Sequence, residues 1–289
     1  NQNLPGYVVL CPGRPVRFSI LWSSAFLPSQ FQGSYVNHST ISPDSMIPFL
    51  KNDQLNFQEQ RDELDLVGSL NRMYGRSRGD DQQLNARISA METAFRMQSA
   101  GHEAFDIRAE PSAIREEYGK GHFANGCLLA RRLVERDVRF VQVYYGNGQP
   151  WDTHSKHNEA VKGLAQSIDK PIAALLTDLK RRGMLDDTLV IWGGEFGRTP
   201  VSENGSGRDH NHYGMTMWLA GGGSRGGYAH GATDEFGFRA VQDRMHVHDV
   251  HATVLHLLGI DHERLTYKYA GRDFRLTDVA GKVAKAVLG

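Results

Sequence analysis

The chain is 289 residues long, 40% hydrophobic and 23% charged, enough to bury a large core as one big α/β domain or two smaller ones, and too apolar for disorder. Its 33 basic and 33 acidic residues cancel and no long run of either sign occurs, so the electrostatic footprint of a nucleic-acid binder is missing. No stretch approaches the roughly 20 apolar residues of a membrane span, and the two cysteines, Cys11 and Cys127, match no zinc pattern.

In chain order, residues 7–10, Tyr-Val-Val-Leu, read as a small strand. The Ser-, Pro-, Asn- and Gly-rich segment that follows reads as a long packed loop, because Phe18, Trp22, Phe26, Leu27, Phe31 and Tyr35 need burial. Leu64, Val67, Leu70 and Tyr74 recur at helical spacing. Leu84, Ile88, Met91, Phe95 and Met97 extend the pattern past a polar break at Gly79-Asp80-Asp81, which predicts a helical pair covering a sheet. A short helix begins at Ser112. Residues 122–135 predict a helix with Cys127, Leu128, Leu133 and Val134 on its apolar side and Arg131 and Arg132 outside.

The β-branched and aromatic run 138–145 reads as the next strand and ends in Gly146-Asn-Gly-Gln-Pro-Trp-Asp152-Thr-His154-Ser-Lys-His157. Val161, Leu164, Ile168, Ile172, Leu175 and Leu179 mark a long amphipathic helix, kinked or restarted at Pro171 and closed by Arg181-Arg182-Gly183. The apolar run 189–192, bounded by paired glycines, reads as a strand buried on both faces of a mostly parallel sheet. Its end drops Glu195, Arg198, Asp209, His210 and His212 into one polar loop before residues 215–220 return to the sheet. A right-handed strand–helix–strand crossover would set the Asp152 and Glu195 loops on the same sheet edge. Residues 248–259 read as a helix stopped by Gly259, and the tail from Thr266 as a basic, amphipathic outer layer.

Two loops therefore concentrate ligand-type groups. Asp152, His154, Glu195, Asp209, His210 and His212 offer hard oxygens and imidazole nitrogens, a mixture that zinc and harder divalent ions accept. Arg198 and Arg208 would complement the non-bridging oxygens of a phosphoryl or sulfuryl group. Plainer roles compete: Asp152 as a cap for the following helix, and Glu195 paired with Arg198 as a structural bridge. Of the tightly spaced imidazoles His246, His248, His251 and His256, which interleave with Val247, Val250 and Thr253, the better claim to a ligand role goes to His246 or His248 at the start of the helix. Cys11-Pro-Gly-Arg14 misses the spacing of the modified cysteine of sulfatases.

On Trp151-Asp-Thr-His, Trp192-Gly-Gly-Glu-Phe-Gly-Arg-Thr-Pro, Gly207-Arg-Asp-His, Leu219-Ala-Gly-Gly-Gly, Gly231-Ala-Thr-Asp-Glu-Phe-Gly and His246-Val-His-Asp-Val-His-Ala-Thr, the chain resembles an uncharacterised bacterial sulfatase-like family of the alkaline phosphatase superfamily. The resemblance implies an alkaline phosphatase-like three-layer α/β sandwich with a mostly parallel central sheet and helices on both faces. It implies Asp152 and His154 as one metal pair, Glu195 where an aspartate is usual, Phe196 in place of a histidine, and His210 as the late ligand. It also implies export to the periplasm or medium, and a single domain cut at its N-terminus, so that an early ligand and the nucleophile are missing. Residues 15–120 would be an irregular and helical cover, and 121–260 the core segment bearing the site.

The expectation is a metal-dependent hydrolase of sulfate or phosphate esters, small-molecule or glycan. Asp152, His154, Glu195 and His210 would hold a divalent ion (Zn, Ca, Mg or Mn), Arg198 and Asp209 would act in catalysis, and His157 and His212 are further ligand candidates. The alternative is a catalytically inactive binding or scaffold protein on the same fold.

Overall fold

The computed structural model describes residues 2–15, 18–48, 50–78 and 82–289. The polar break expected at Gly79-Asp80-Asp81 and the side chain of Phe18 lie outside the described residues. The chain divides into two compact units, one of residues 1–149 with 168–175 and the other of 150–167 with 176–289.

The first unit is built on β1 (Tyr7–Cys11), whose residues Val8 to Cys11 are fully buried. It holds β2 (Ser34–Asn37), α1 (Pro43–Met46), α2 (Phe57–Arg78), α3 (Gln82–Phe105), α4 (Ser112–Tyr118), α5 (His122–Val134) and β3 (Phe140–Val143). Strands β2 and β3 pair with β1 on either side, both parallel, in the order β2-β1-β3. Side chains alternate along a strand, so Val8, Leu10, Val36, Val141 and Val143 share one face. They join a core with Cys127, Leu128, Leu129 and Leu133 of α5, Phe105 and Tyr118. Gly126 lets helix and sheet approach: a Cβ there would lie 3.0 Å from both His38 Nε2 and Val143 Cγ1.

Several expectations for this unit change. Arg131 and Arg132 are buried, not outside. Arg131 Nη2 lies 2.7 Å from Glu110 Oε2, Arg132 Nη1 meets the other Glu110 oxygen, and Arg131 Nη1 donates to Glu135 Oε2 at 2.7 Å. Helical periodicity gave the helix correctly, but these carboxylates, distant in sequence or one turn away, decide which way its arginines point. In the loop after β1, Trp22 is buried and stacks on Tyr35 at 5.2 Å, whereas Phe26 and Phe31 are exposed.

The second unit carries β4 (Val190–Trp192), β5 (Gly197–Arg198), β6 (His210–Asn211), β7 (Trp218–Ala220), β8 (Ala232–Thr233), β9 (Ala240–Gln242), α7 (Val247–Leu257), β10 (Thr266–Tyr269) and β11 (Arg272–Arg275). Helix α6 (His157–Arg181) contributes to both units and runs through Pro171 as one helix. The expected alkaline phosphatase-like sandwich is absent: beside the three-stranded parallel sheet, the described strands form two-stranded antiparallel pairs, β4-β7, β5-β6, β8-β9 and β10-β11. Strand β4 pairs with β7, Val190 opposite Ala220 and Trp192 opposite Trp218, and Ile191 is exposed rather than buried between helices.

The glycines explain this pairing. Gly221 and Gly222 have φ of +68° and +54°, and a Cβ on Gly221 would come within 2.3 Å of the Leu185 carbonyl oxygen, so the exit of β7 folds tightly against the entry of β4. A short apolar run flanked by glycine is compatible with a buried parallel strand or with this two-stranded ribbon, and periodicity does not separate them. The tail forms the β10-β11 hairpin. Among the described residues, no helix is long and apolar enough to cross a membrane.

Candidate metal centre

Two backbone links bring the two ligand-rich loops together within the second unit. Arg208 N donates to Thr153 O at 3.0 Å and His157 N to Ser206 O at 2.9 Å, while inside the second loop Thr199 N donates to Asp209 O at 2.9 Å. Gly207 sits where the loops touch, and a Cβ there would lie 1.9 Å from the His154 carbonyl oxygen, so no larger residue fits without parting them. In the β5-β6 ribbon Arg198 is directly opposite His210, which sets their side chains on one face. The reverse face is fastened by Asn211, which is buried and donates from Nδ2 to Phe238 O at 2.9 Å.

On the front face three groups converge on one oxygen. Asp152 Oδ1 lies 3.0 Å from His154 Nε2, 2.9 Å from His210 Nε2 and 2.6 Å from Arg198 Nη1. The arginine contact is a charge pair without hydrogen-bond alignment. Asp152, His154 and His210 thus form a group whose donor atoms all lie within 4.8 Å of one another, the spacing of a shared cation. Phe196 walls the group, its ring 4.3 Å from that of His210.

The other nitrogen of His154 is also occupied. Its Nδ1 lies 2.7 Å from Glu203 Oε2, so the ring stands between two carboxylates. A neutral imidazole has one N–H. If Nδ1 gives it to Glu203, the lone pair on Nε2 faces Asp152 Oδ1, an arrangement that calls for either a second proton or a cation on Nε2. The pair with Glu203, and then the charge of Asp152, raise the His154 pKa. The hydrogen bond from His210, helped by Arg198 and opposed by desolvation, lowers that of Asp152.

The remaining residues separate. Asp209 accepts from its neighbour His210 N at 2.7 Å and falls in a second group with His154 and Glu203. Glu195 is exposed and belongs to neither group. His157 bonds Thr153 Oγ1 through Nδ1 at 2.6 Å, and burial together with Arg208 and Arg198 lowers its pKa. The ring of His212 packs on Tyr213 at 3.9 Å. His246 caps α7, accepting from His248 N, while Asp249 accepts from His246 N at 2.7 Å. Glu203 had no flag in the sequence: it stands in a glycine- and serine-rich loop with no spacing to tie it to His154.

The donor set fits a divalent ion of intermediate hardness. Two imidazoles and one carboxylate match the three-ligand, open-position pattern of catalytic zinc, and the same set also suits iron(II). Calcium and magnesium prefer all-oxygen shells, so the two nitrogens narrow the range expected from sequence.

The family described as "Protein of unknown function (DUF1501)" matches residues 1–288. No sulfatase or alkaline phosphatase family matches, which overturns the sulfatase-like resemblance. No curated protein and no solved structure shows significant similarity to the chain.

Proposed function

We propose that this chain, which belongs to the DUF1501 family, holds a divalent transition-metal ion, zinc best, in its Asp152–His154–His210 cluster and hydrolyses phosphate or sulfate esters there. The observation that carries this reading is the ring of His154, gripped by Glu203 at Nδ1 and turned by Nε2 onto the oxygen that His210 also faces. A carboxylate behind a ligating histidine fixes its tautomer and raises its basicity. When bound, the ion would polarise an ester oxygen and acidify a water. Arg198, a planar fork at the same oxygen, suits the charge of a tetrahedral oxyanion. Asp209, adjoining on the His154 and Glu203 side, would orient the attacking water or take its proton.

One observation favours a second reading. Arg198 already answers the charge of Asp152, so the cluster would hold without metal as an anion-binding surface that performs no turnover. Assay of the zinc-loaded chain on aryl phosphate and aryl sulfate separates the two. Turnover lost in His210→Ala supports the hydrolase, and ester binding without turnover in metal-loaded protein supports the binding protein.

A further inference from the structure

Helix α2 meets α3 partly through polar groups and leaves a row of apolar side chains exposed in its second half, beyond the exposed Glu59 and Glu63 of its first half. Gln60, Leu64, Gly68 and Asn71 lie on one side of the helix and are partly buried. Toward α3, Arg61 grips Glu92 through two bonds of 2.9 and 2.8 Å and Gln98 donates to Gln60 at 2.6 Å. Leu66, Val67, Leu70, Met73 and Tyr74 fall within a sector of about 120° at 100° per residue, and all five are exposed, with Leu66 at 61%, Leu70 at 56% and Met73 at 67%. An apolar stripe of this kind marks an interaction surface.

Charge along the helix says what covers it. In the sequence, residues 57–67 hold Glu59, Asp62, Glu63 and Asp65 against Arg61, whereas residues 68–78 hold three arginines, Arg72 among them, and no carboxylate. Laid antiparallel on a copy of itself, the helix sets each acidic half over a basic half; laid parallel, it would stack like on like. A helix made for a lipid surface carries basic residues along its polar face, and the acidic half of α2 does not.

We propose that the exposed face of α2 is a self-complementary docking surface for a second copy of this chain, the two α2 helices antiparallel about a two-fold axis near Val67 and Leu70. Such an interface is isologous, the same patch serving both partners. Its apolar centre is the Leu66, Leu70 and Met73 stripe, and its ends are steered by charge.

Sedimentation velocity on the full chain over a concentration series tests this, with expected reversible dimerisation that weakens in high salt. Leu70→Glu and Leu66→Glu replace exposed side chains, so the far-ultraviolet spectrum stays unchanged while each raises the dimer dissociation constant at least about tenfold. Cys11 and Cys127 are buried, so cysteines introduced singly report geometry. Val67→Cys and Leu70→Cys should cross-link between copies under mild oxidation. Gln58→Cys, about 30 Å from its own copy in the antiparallel arrangement, should not. A chain that stays monomeric at every concentration, a dimer indifferent to Leu70→Glu, or cross-linking through Gln58→Cys would each overturn the proposal. So would a monomer that binds anionic lipid vesicles through the stripe, which would assign the face to a membrane surface.

Discussion

Glu203 holds His154 Nδ1 at 2.7 Å across a separation of 49 residues. The bond spends the proton of a neutral ring on the outer nitrogen and leaves Nε2 to face Asp152. In Glu203→Gln a zinc affinity about 10–100-fold weaker is expected, read by competition against a chromophoric chelator. The unfolding midpoint should hardly move, because both side chains are partly exposed and a surface pair contributes little to stability. Unchanged zinc affinity would mean that Glu203 does not prepare His154 as a ligand.

Arg198 and a cation compete for Asp152 Oδ1, since the guanidinium stands 2.6 Å from it. Arg198→Ala should therefore bind zinc at least as tightly as the unaltered chain yet hydrolyse aryl phosphate or sulfate about 10²–10³-fold more slowly, the loss typical of one oxyanion donor. Isothermal titration and steady-state kinetics on the same preparations read the two effects. Zinc binding that collapses together with turnover would show that Arg198 holds the cluster together instead of contacting the anion.

Most elements were legible from periodicity, and the way they assemble was not. Helices α5, α6 and α7 fall close to where apolar spacing sets them, because a single face of a single helix decides their pattern. The large parallel sheet failed on residues 189–192, where Val190, Ile191 and Trp192 suit either a buried strand or the β4-β7 ribbon. Asp152 and His210 were expected to meet at the edge of one sheet, but β3 and β4 belong to different sheets. They meet because Arg208 bonds Thr153 and Gly207 lets the backbones touch. Glu195 is exposed and, among the described residues, joins neither ligand group. Loop-to-loop backbone bonds leave no periodic trace, so neither Glu203 nor the exclusion of Glu195 could be read in advance.

Glu110 anchors the first unit through Arg131 and Arg132, both almost wholly buried. Glu110→Ala should cost about 3–5 kcal/mol, the range for leaving a buried charge without its partner, measured by urea unfolding. Burial opposes ionisation of Glu110, but the hydrogen bonds from Arg131 and Arg132 outweigh it and lower its pKa. Stability from this group is therefore present above the pKa of the unfolded chain, about 4.3, and is lost as pH falls through the lower folded value. A loss under about 1 kcal/mol in Glu110→Ala would show the arginines finding other partners.

His38 is fully buried, and neither ring nitrogen has a hydrogen-bond partner among the described residues. Burial pushes its pKa from 6.5 down to about 4. The unfolded chain takes up this proton first, so stability is full above pH about 6.5 and declines as pH falls toward about 4, by up to roughly 3 kcal/mol. In His38→Gln the decline over that interval should flatten, as followed by thermal unfolding at a series of pH values. An unchanged slope would place the titrating group elsewhere.

Whether Asp152, His154 and His210 share one metal ion is decided by zinc binding to the chain at neutral pH, followed by calorimetry with X-ray absorption at the zinc edge. One zinc per chain is expected, with two nitrogen ligands near 2.0–2.1 Å, proton release on binding, and loss of the site in Asp152→Ala and in His210→Ala. Zinc bound equally well by both variants, or an absorption spectrum without imidazole ligation, would contradict a shared ion.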